Sequence, residues 1–475
     1  MVTGLFIFRR DFRIVDNVGL MAACAACSRV YTCFVFTPEQ VGAGNRFRSQ
    51  NAIDFMMESL NSLAKEIRGA GGELIFMHGK NVGVVRELVE ALGINAVFFN
   101  RDYSPYAVKR DDEIDQWCQS AGIECHSYAD YYLQEPGTIL NGSGGFYKKF
   151  TPFYRAVLHL PVKKVVKGGI EGLVRRGTRQ LASQISYPEA LVKYTTSGTV
   201  GIVGTVGDVG GRMVIGGRKA ALERLTDGLR AQSHYDSARD FLKNETTGLS
   251  AYIKFGCVSI REVYWAFHRK YGVDFGLIRE LIWREFFAHV LYGFPEVLAD
   301  SYQPKFRRIQ WLGDREHFEK WCRGGTGFPV VDASMRQLNA TGYMHNRGRM
   351  IVATFLVKTL LLDWHLGERY FAQKLTDYDP ASNNGNWQGI SGTGVDMKPY
   401  FRDMNPWIQS AKFDKDCAFI KKWVPELSDV APRDIHKWTT SCEMPKYSGV
   451  KYPKPMVDYD AQKVHMLEMY EKALK

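Results

Sequence analysis

No stretch of this sequence is long enough and apolar enough to cross a bilayer, which takes about 20 residues. Its most apolar run, Met350 to Asp363, falls short and carries Lys358 in its middle. No secretory leader is expected either. Met1 leads into a β-like run broken by Arg9, Arg10 and Arg13, an order no signal peptide shows. No GxGxxG follows that first run, so a dinucleotide held in the Rossmann manner is not expected there. Nine cysteines are scattered without metal spacing: Cys24 and Cys27 form one CxxC inside the helix-like MAACAACSRV, and no second pair stands at zinc distance. Reduced core thiols and no metal site are expected. Together these absences point to an intracellular protein, cytoplasmic or, in a eukaryote, nuclear.

What is present is a basic chain rich in aromatic side chains. Of its 475 residues 45% are hydrophobic and 24% charged, ordinary for a folded soluble protein, while 13% aromatic is high. The net charge of +11 favours nucleic acid or another polyanion as partner. Single cores stop growing near about 250 to 300 residues, so two or more domains are expected.

Residues 1–130 alternate the β-rich runs LFIF, VYTCFVF, ELIFMHG and AVFFN with helical stretches such as NAIDFMMESLNSLAKEIRG and VVRELVEALG. That alternation predicts an α/β domain with a doubly wound, Rossmann-like parallel sheet covered on both faces. Residues 131–217 connect the halves. Within them FYKKFTPFYRA (146 to 156) reads as ordered, and the Gly/Val-rich segment 195–217 reads as a flexible surface linker whose valines allow partial packing. From 218 to 475 apolar residues recur three and four apart, which predicts an all-α domain with no long disordered extension.

The segment Tyr343 to Gly389 has a polar head (His345, Asn346, Arg347, Arg349), an apolar rod and a polar foot of Asp, Asn and Gly. Such a pattern suggests a site built around an internal helix. Read as one α-helix, residues 350–364 would span roughly 21 Å, with Met350 and Trp364 at opposite ends on nearly the same face.

Three further constellations could carry chemistry. Thr246-Thr247-Gly248-Leu249-Ser250 offers hydroxyls and free backbone N–H groups ahead of a helix, and reads either as a pyrophosphate cradle or as ordinary helix capping. Glu280, Trp283 and Arg284 share one helical face, as a solvated ion pair or, because the helix is apolar, as a cavity wall. Arg349, Asp377, Asp379 and Asn383 bracket the apolar rod and could be a structural salt pair. Ten tryptophans, taken alone, read as core packing.

Taken in order, FRRDFRIVDN, EPG followed by FYKKFTPFYRA, TTGLSAYIKFGCVS, ELIWREFF, TGFPVVDASMRQLNATGYMHNR, NRGRM, DW, DYD and NNGNWQ resemble the photolyase/cryptochrome family over essentially the whole chain. Within that family the resemblance is strongest to class I cyclobutane pyrimidine dimer photolyases. It implies FAD as cofactor, held by Tyr235, Thr246, Thr247, Gly248, Leu249, Ser250, Leu277, Arg284, Arg349, Asp377, Tyr378, Asp379 and Asn383. It implies a lesion site in which Glu280 hydrogen-bonds the damaged bases, Trp283 stacks on them, and Asn346 and Met350 face them. UV-damaged double-stranded DNA would be contacted by Glu280, Trp283, Arg284, Asn346, Arg347, Arg402 and Gln409. Electrons would reach the flavin through Trp387, with Trp364 next and Trp311 at the surface.

The implied reaction is light-driven repair by a monomer. A dimer is flipped out of the duplex into the helical cavity, takes one electron from excited reduced FAD and returns it after the ring opens. Family members acting on the (6-4) photoproduct carry two histidines where Asn346 and Met350 stand here. The family's second aromatic wall, two residues after Trp387, is Gly389. The alternatives are a cryptochrome photoreceptor and a DASH-type single-strand photolyase, of which NRGR and GNWQ have a flavour. In the α/β half, Tyr103 to Lys109 lacks the carboxylate and Asn that grip a folate antenna, leaving a deazaflavin, a flavin or none.

Overall fold

Short runs of β-branched and aromatic residues build the first half of the chain. In the computed structural model, which describes residues 2–178, 180–195, 213–396 and 399–475, the strands are β1 (Thr3–Phe8), β2 (Arg29–Phe36), β3 (Leu74–His78), β4 (Ala96–Asn100) and β5 (Glu124–Tyr128). They form one parallel sheet in the order β3-β2-β1-β4-β5, with Leu5 of β1 in register with Tyr31 and Val97. Helices α1 (Val18–Ala26), α2 (Gln50–Gly69), α3 (Asn81–Leu92) and α4 (Pro105–Ser120) connect the strands and cover both faces. Sequence pattern anticipated the first four strands. It missed β5, whose ECHSY is polar and half-exposed because this strand lies at the sheet edge.

Strand order reverses direction between β1 and β4, which leaves a crevice at the carboxyl ends of the strands. The other half is helical throughout, from α5 (Arg218–Ala231) through α6 (Gly276–Gly293) to the C-terminal helix Tyr459–Leu474. One apolar cluster runs through both halves: Phe12 lies between Phe34 of the sheet and Phe255 of the helical part, at 5.6 and 6.0 Å between ring centroids. No described helix is long and apolar enough to cross a membrane, and all nine cysteines are unpaired.

The expectation of a single helix over 350–364 is overturned. Helix α7 (Asn346–Thr354) stops short, one π-helical turn follows over Phe355–Thr359, Leu361 takes a left-handed φ of 56°, and α8 (Trp364–Lys374) begins afresh. Two local demands break the rod. The Leu361 carbonyl accepts from Leu312 and Gly313 instead of from its own helix, and the Asp363 side chain caps α8 by accepting from the His365 N–H. Trp364 therefore opens a second helix rather than ending the first. The linker expected over 195–217 lies mostly outside the described residues; at its described flanks Thr195 and Val214 are buried, and Gly216 N–H donates to Glu58.

Candidate FAD and lesion site

Helix α6 is apolar on almost every side, so its few polar side chains must face a cavity or a partner. Glu280, Trp283 and Arg284 do share one face, and that face borders a cavity of about 320 Å³ in the helical half. The same cavity is lined by Tyr235, the whole loop Thr246 to Ser250, Leu277, Asn346, Arg349, Asp377 and Asp379. A smaller space of about 110 Å³ shares Asn346, Arg349, Asp377 and Asp379 with it and adds Met350, Tyr378, Asn383 and Trp387. Residues far apart in sequence thus converge on one bent cavity.

The partners differ from those the spacing suggested. Glu280 pairs with Arg239, not with Arg284. Burial pushes the Glu280 carboxyl up and Arg239 opposes that rise. Arg284 donates instead to the Tyr131 carbonyl at 2.8 Å and lies over the Tyr132 ring. Trp283 is stacked on Phe150 at 3.5 Å and 5°, so FYKKFTPFYRA supplies the backing of this wall. Arg239, Tyr343 and Lys254 also border the cavity and were not read from the sequence. Their signals were there nonetheless: Arg239 stands four residues after Tyr235, and Tyr343 and Lys254 lie within the motifs quoted above.

Asp377 is the electrostatic centre. Its Oδ2 accepts from Arg349 at 2.9 Å and from the Ser250 hydroxyl at 2.6 Å. Burial alone would raise this carboxyl, but Arg349 and Ser250 outweigh it and hold it below the usual range. Asp379 caps α9 (Pro380–Ser391) and accepts from Arg10, which also binds Asp102 at the end of β4. Asn383 donates to the Glu368 carbonyl at 3.1 Å. Asn346 opens α7 after His345, whose ring accepts from the Arg347 N–H at 3.1 Å.

Of the remaining expected residues, Trp387 is buried edge-on to Phe371 at 5.0 Å. Trp364 is buried against His365 at 3.7 Å. Both belong to one apolar cluster, and the half-buried Trp311 packs against it. Arg347, Arg402 and Gln409 lie outside the cavity lining. Arg347 is held by Asp240 at 2.6 Å and lies over Phe413, while Arg402 is exposed. A Cβ built on Gly389 meets nothing within 4 Å, so the position is open.

A second cavity, of about 500 Å³, occupies the crevice at the carboxyl ends of the strands, between Arg9, Asp102 and Tyr106 on one side and Ala288, Tyr378 and Glu368 on the other. Lys254 and Asp379 border both this space and the first cavity. Burial lowers the Lys254 ammonium to about 8, with Asp379 pulling the other way.

Residues 5–166 match the family model described as DNA photolyase, and residues 277–472 match the FAD binding domain of DNA photolyase. The chain belongs to the DNA photolyase family. It is 34% identical to a deoxyribodipyrimidine photo-lyase of Synechococcus, covering 98% of this chain and 96% of the relative. Among solved structures it is similar to a Sulfolobus tokodaii photolyase that holds two FAD molecules (36% identity, TM-score 0.85, 99% of this chain and 100% of that one). It is also similar to a Synechocystis cryptochrome (25% identity, TM-score 0.87, 99% of each chain). The helical half of this photolyase-family protein is thus an FAD-binding domain. Its residues fit the cofactor on their own terms: the loop 246–250 supplies neutral hydroxyls and backbone donors, and the buried Oδ1 of Asp377 has no hydrogen-bond partner among the described residues.

Proposed function

We propose that this photolyase-family enzyme repairs cyclobutane pyrimidine dimers in UV-damaged duplex DNA. The reading is carried by the lesion-facing set Glu280, Trp283, Asn346 and Met350, which borders the cavity without a single imidazole among the described lining residues. The nearby His345 is buried, accepts from backbone, and is pushed by that burial down to about 4, so it stays neutral and holds its place as a cap. Asn and Met move no proton at accessible pH, and repair of a (6-4) product needs such a transfer. When bound, reduced FAD supplies the photoexcited electron that opens the cyclobutane ring.

The protein's own part is positional. Trp283, braced by Phe150, offers a flat apolar wall to the flipped bases; Glu280, braced by Arg239, offers carboxyl oxygens to their polar edge; and Asn346 offers an amide. Trp387, Trp364 and Trp311, lying in or against one apolar cluster, are assigned to electron entry from the surface. Illuminating the reduced enzyme with each lesion in otherwise identical duplexes should restore bases from the cyclobutane dimer and none from the (6-4) product. Restoration from the (6-4) duplex alone would overturn the assignment, and no repair of either would favour a cryptochrome-like photoreceptor.

Gly389 lies three residues after Asn386 on α9, hence on the cavity side. Gly389→Trp should tighten dark binding to dimer-containing duplex by about 1–3 kcal/mol, the range for one base–aromatic stack. Fluorescence anisotropy against undamaged duplex measures it, and unchanged discrimination would remove Gly389 from the lesion site.

The second cavity is assigned to an antenna chromophore of flat tricyclic shape, a flavin or deazaflavin. Its place at the switch point of a parallel sheet, walled by Tyr106 and Tyr378, supports that choice. Heat extraction and mass spectrometry of natively produced protein should recover no methenyl-folate; a stoichiometric yield of it would sink the idea.

A further inference from the structure

Helix α5 does not line the flavin cavity, yet it lies directly on the loop that does. A Cβ added to its Gly228 would stand 3.5 Å from Thr247 Cγ2. One turn earlier, Arg224 lays its guanidinium across Gly248: a Cβ on that glycine would meet Nε at 3.0 Å, Nη2 at 3.2 Å and Cζ at 3.3 Å. Gly248 has φ 61°, so it meets two demands, a left-handed turn and room for the guanidinium.

A guanidinium carries five N–H donors. Among the described residues the only charged partner of Arg224 is Glu245, 3.8 Å from Nη1 and about half exposed, too far for a hydrogen bond. The arginines that line the cavity itself are engaged: Arg239 by Glu280, Arg284 by the Tyr131 carbonyl, Arg349 by Asp377. Lys254 also borders the cavity, and Asp379 and Asp377 favour its charged form against the effect of burial. Among these arginines Arg224 alone makes no hydrogen bond to a described residue, and its ion pair with Glu245 is long and half exposed. Its field is felt at Tyr343, whose phenol is raised by burial and eased back by Arg349 and by Arg224, and whose hydroxyl meets that of Thr246 at 3.1 Å.

We infer that Arg224 is a cofactor-binding residue that takes the pyrophosphate of FAD, supplying the cation that the neutral loop Thr246 to Ser250 lacks. The inference rests on the cavity being the FAD site. It also explains why the loop carries glycine at 248: any side chain there would push the guanidinium off the phosphates.

The test is a titration of full-length apoprotein with FAD, with riboflavin, which has the same ring system and no phosphate, and with ADP-ribose as competitor, read by flavin fluorescence. Arg224→Gln should weaken FAD roughly 10- to 100-fold, the range for losing a hydrogen bond to a charged group, and should weaken ADP-ribose in parallel. Riboflavin affinity should not move, and Arg224→Lys should recover part of the loss. Equal weakening of FAD and riboflavin would show a packing role and overturn the inference, as would unchanged FAD affinity in the Gln variant. Wild-type apoprotein that takes up neither flavin would overturn the cavity assignment itself, a result separable from failure of Arg224 alone.

Discussion

Asp130→Ala should lower the stability of this protein by about 3–5 kcal/mol, the cost of leaving buried charge without its partner. Asp130 is almost wholly buried where the sheet meets the helical half. Its Oδ2 accepts from Arg13 at 2.5 Å and its Oδ1 from Arg261 at 2.8 Å. Arg261 also donates to the Asp16 carboxylate at 2.9 Å, so two cations and two anions balance. Removing this carboxylate takes from both guanidinium groups their shared hydrogen-bonded anion in a dry interface, leaving Asp16 and the more distant Asp11. Burial alone would raise the Asp130 carboxyl, but Arg13 and Arg261 together hold it below the usual range. A carboxyl depressed in the folded state adds stability above its unfolded pKa, near about 4, and that stability is lost as pH falls through the lower folded value. Urea unfolding should therefore show a large deficit for the variant at pH 7 that narrows in acid. A deficit under about 1 kcal/mol at pH 7 would show that the network is not what holds the halves together.

Much of this was legible in the sequence, for physical reasons that particular residues show. Strands such as VYTCFVF are buried on both faces, so they read as continuous apolar runs, and the parallel sheet followed. The edge strand ECHSY has no such burial and left no signal. The spacing of Glu280, Trp283 and Arg284 gave their common face correctly, because helical periodicity is local. It could not give the partner of Glu280, since Arg239 lies 41 residues away on another element. Arg10 and Asp379, 369 residues apart, are joined only by the packing of the two halves. The rod over 350–364 misled for a related reason: apolar composition shows that a segment is buried, but not that Leu361 will turn left-handed to pair with Leu312 and Gly313.

Asp377→Asn should yield protein that purifies without FAD. In the wild type one carboxylate oxygen is already committed to Arg349 and Ser250, and the other is buried with no hydrogen-bond partner among the described residues, which leaves it to a donor on the cofactor. Asparagine keeps the shape but removes the charge, and it must turn its NH₂ either toward the Arg349 guanidinium or toward the cofactor's donor. Either orientation opposes donor to donor. Losing a hydrogen bond to a charged group costs about 1.5–3 kcal/mol, and taking from the half-buried Arg349 its carboxylate partner adds a cost to the apoprotein itself. The two contributions separate in one experiment. Thermal melts without FAD compare the apoproteins, where the variant should melt lower. Melts with added FAD then read binding by mass action, which at 100 times the dissociation constant stabilises the wild type by about 2.7 kcal/mol. The variant's melting temperature should barely move at the same FAD concentration. A variant that retained one FAD per chain, and gained as much stability from it as the wild type, would take Asp377 out of the cofactor site and leave it a structural partner of Arg349 alone.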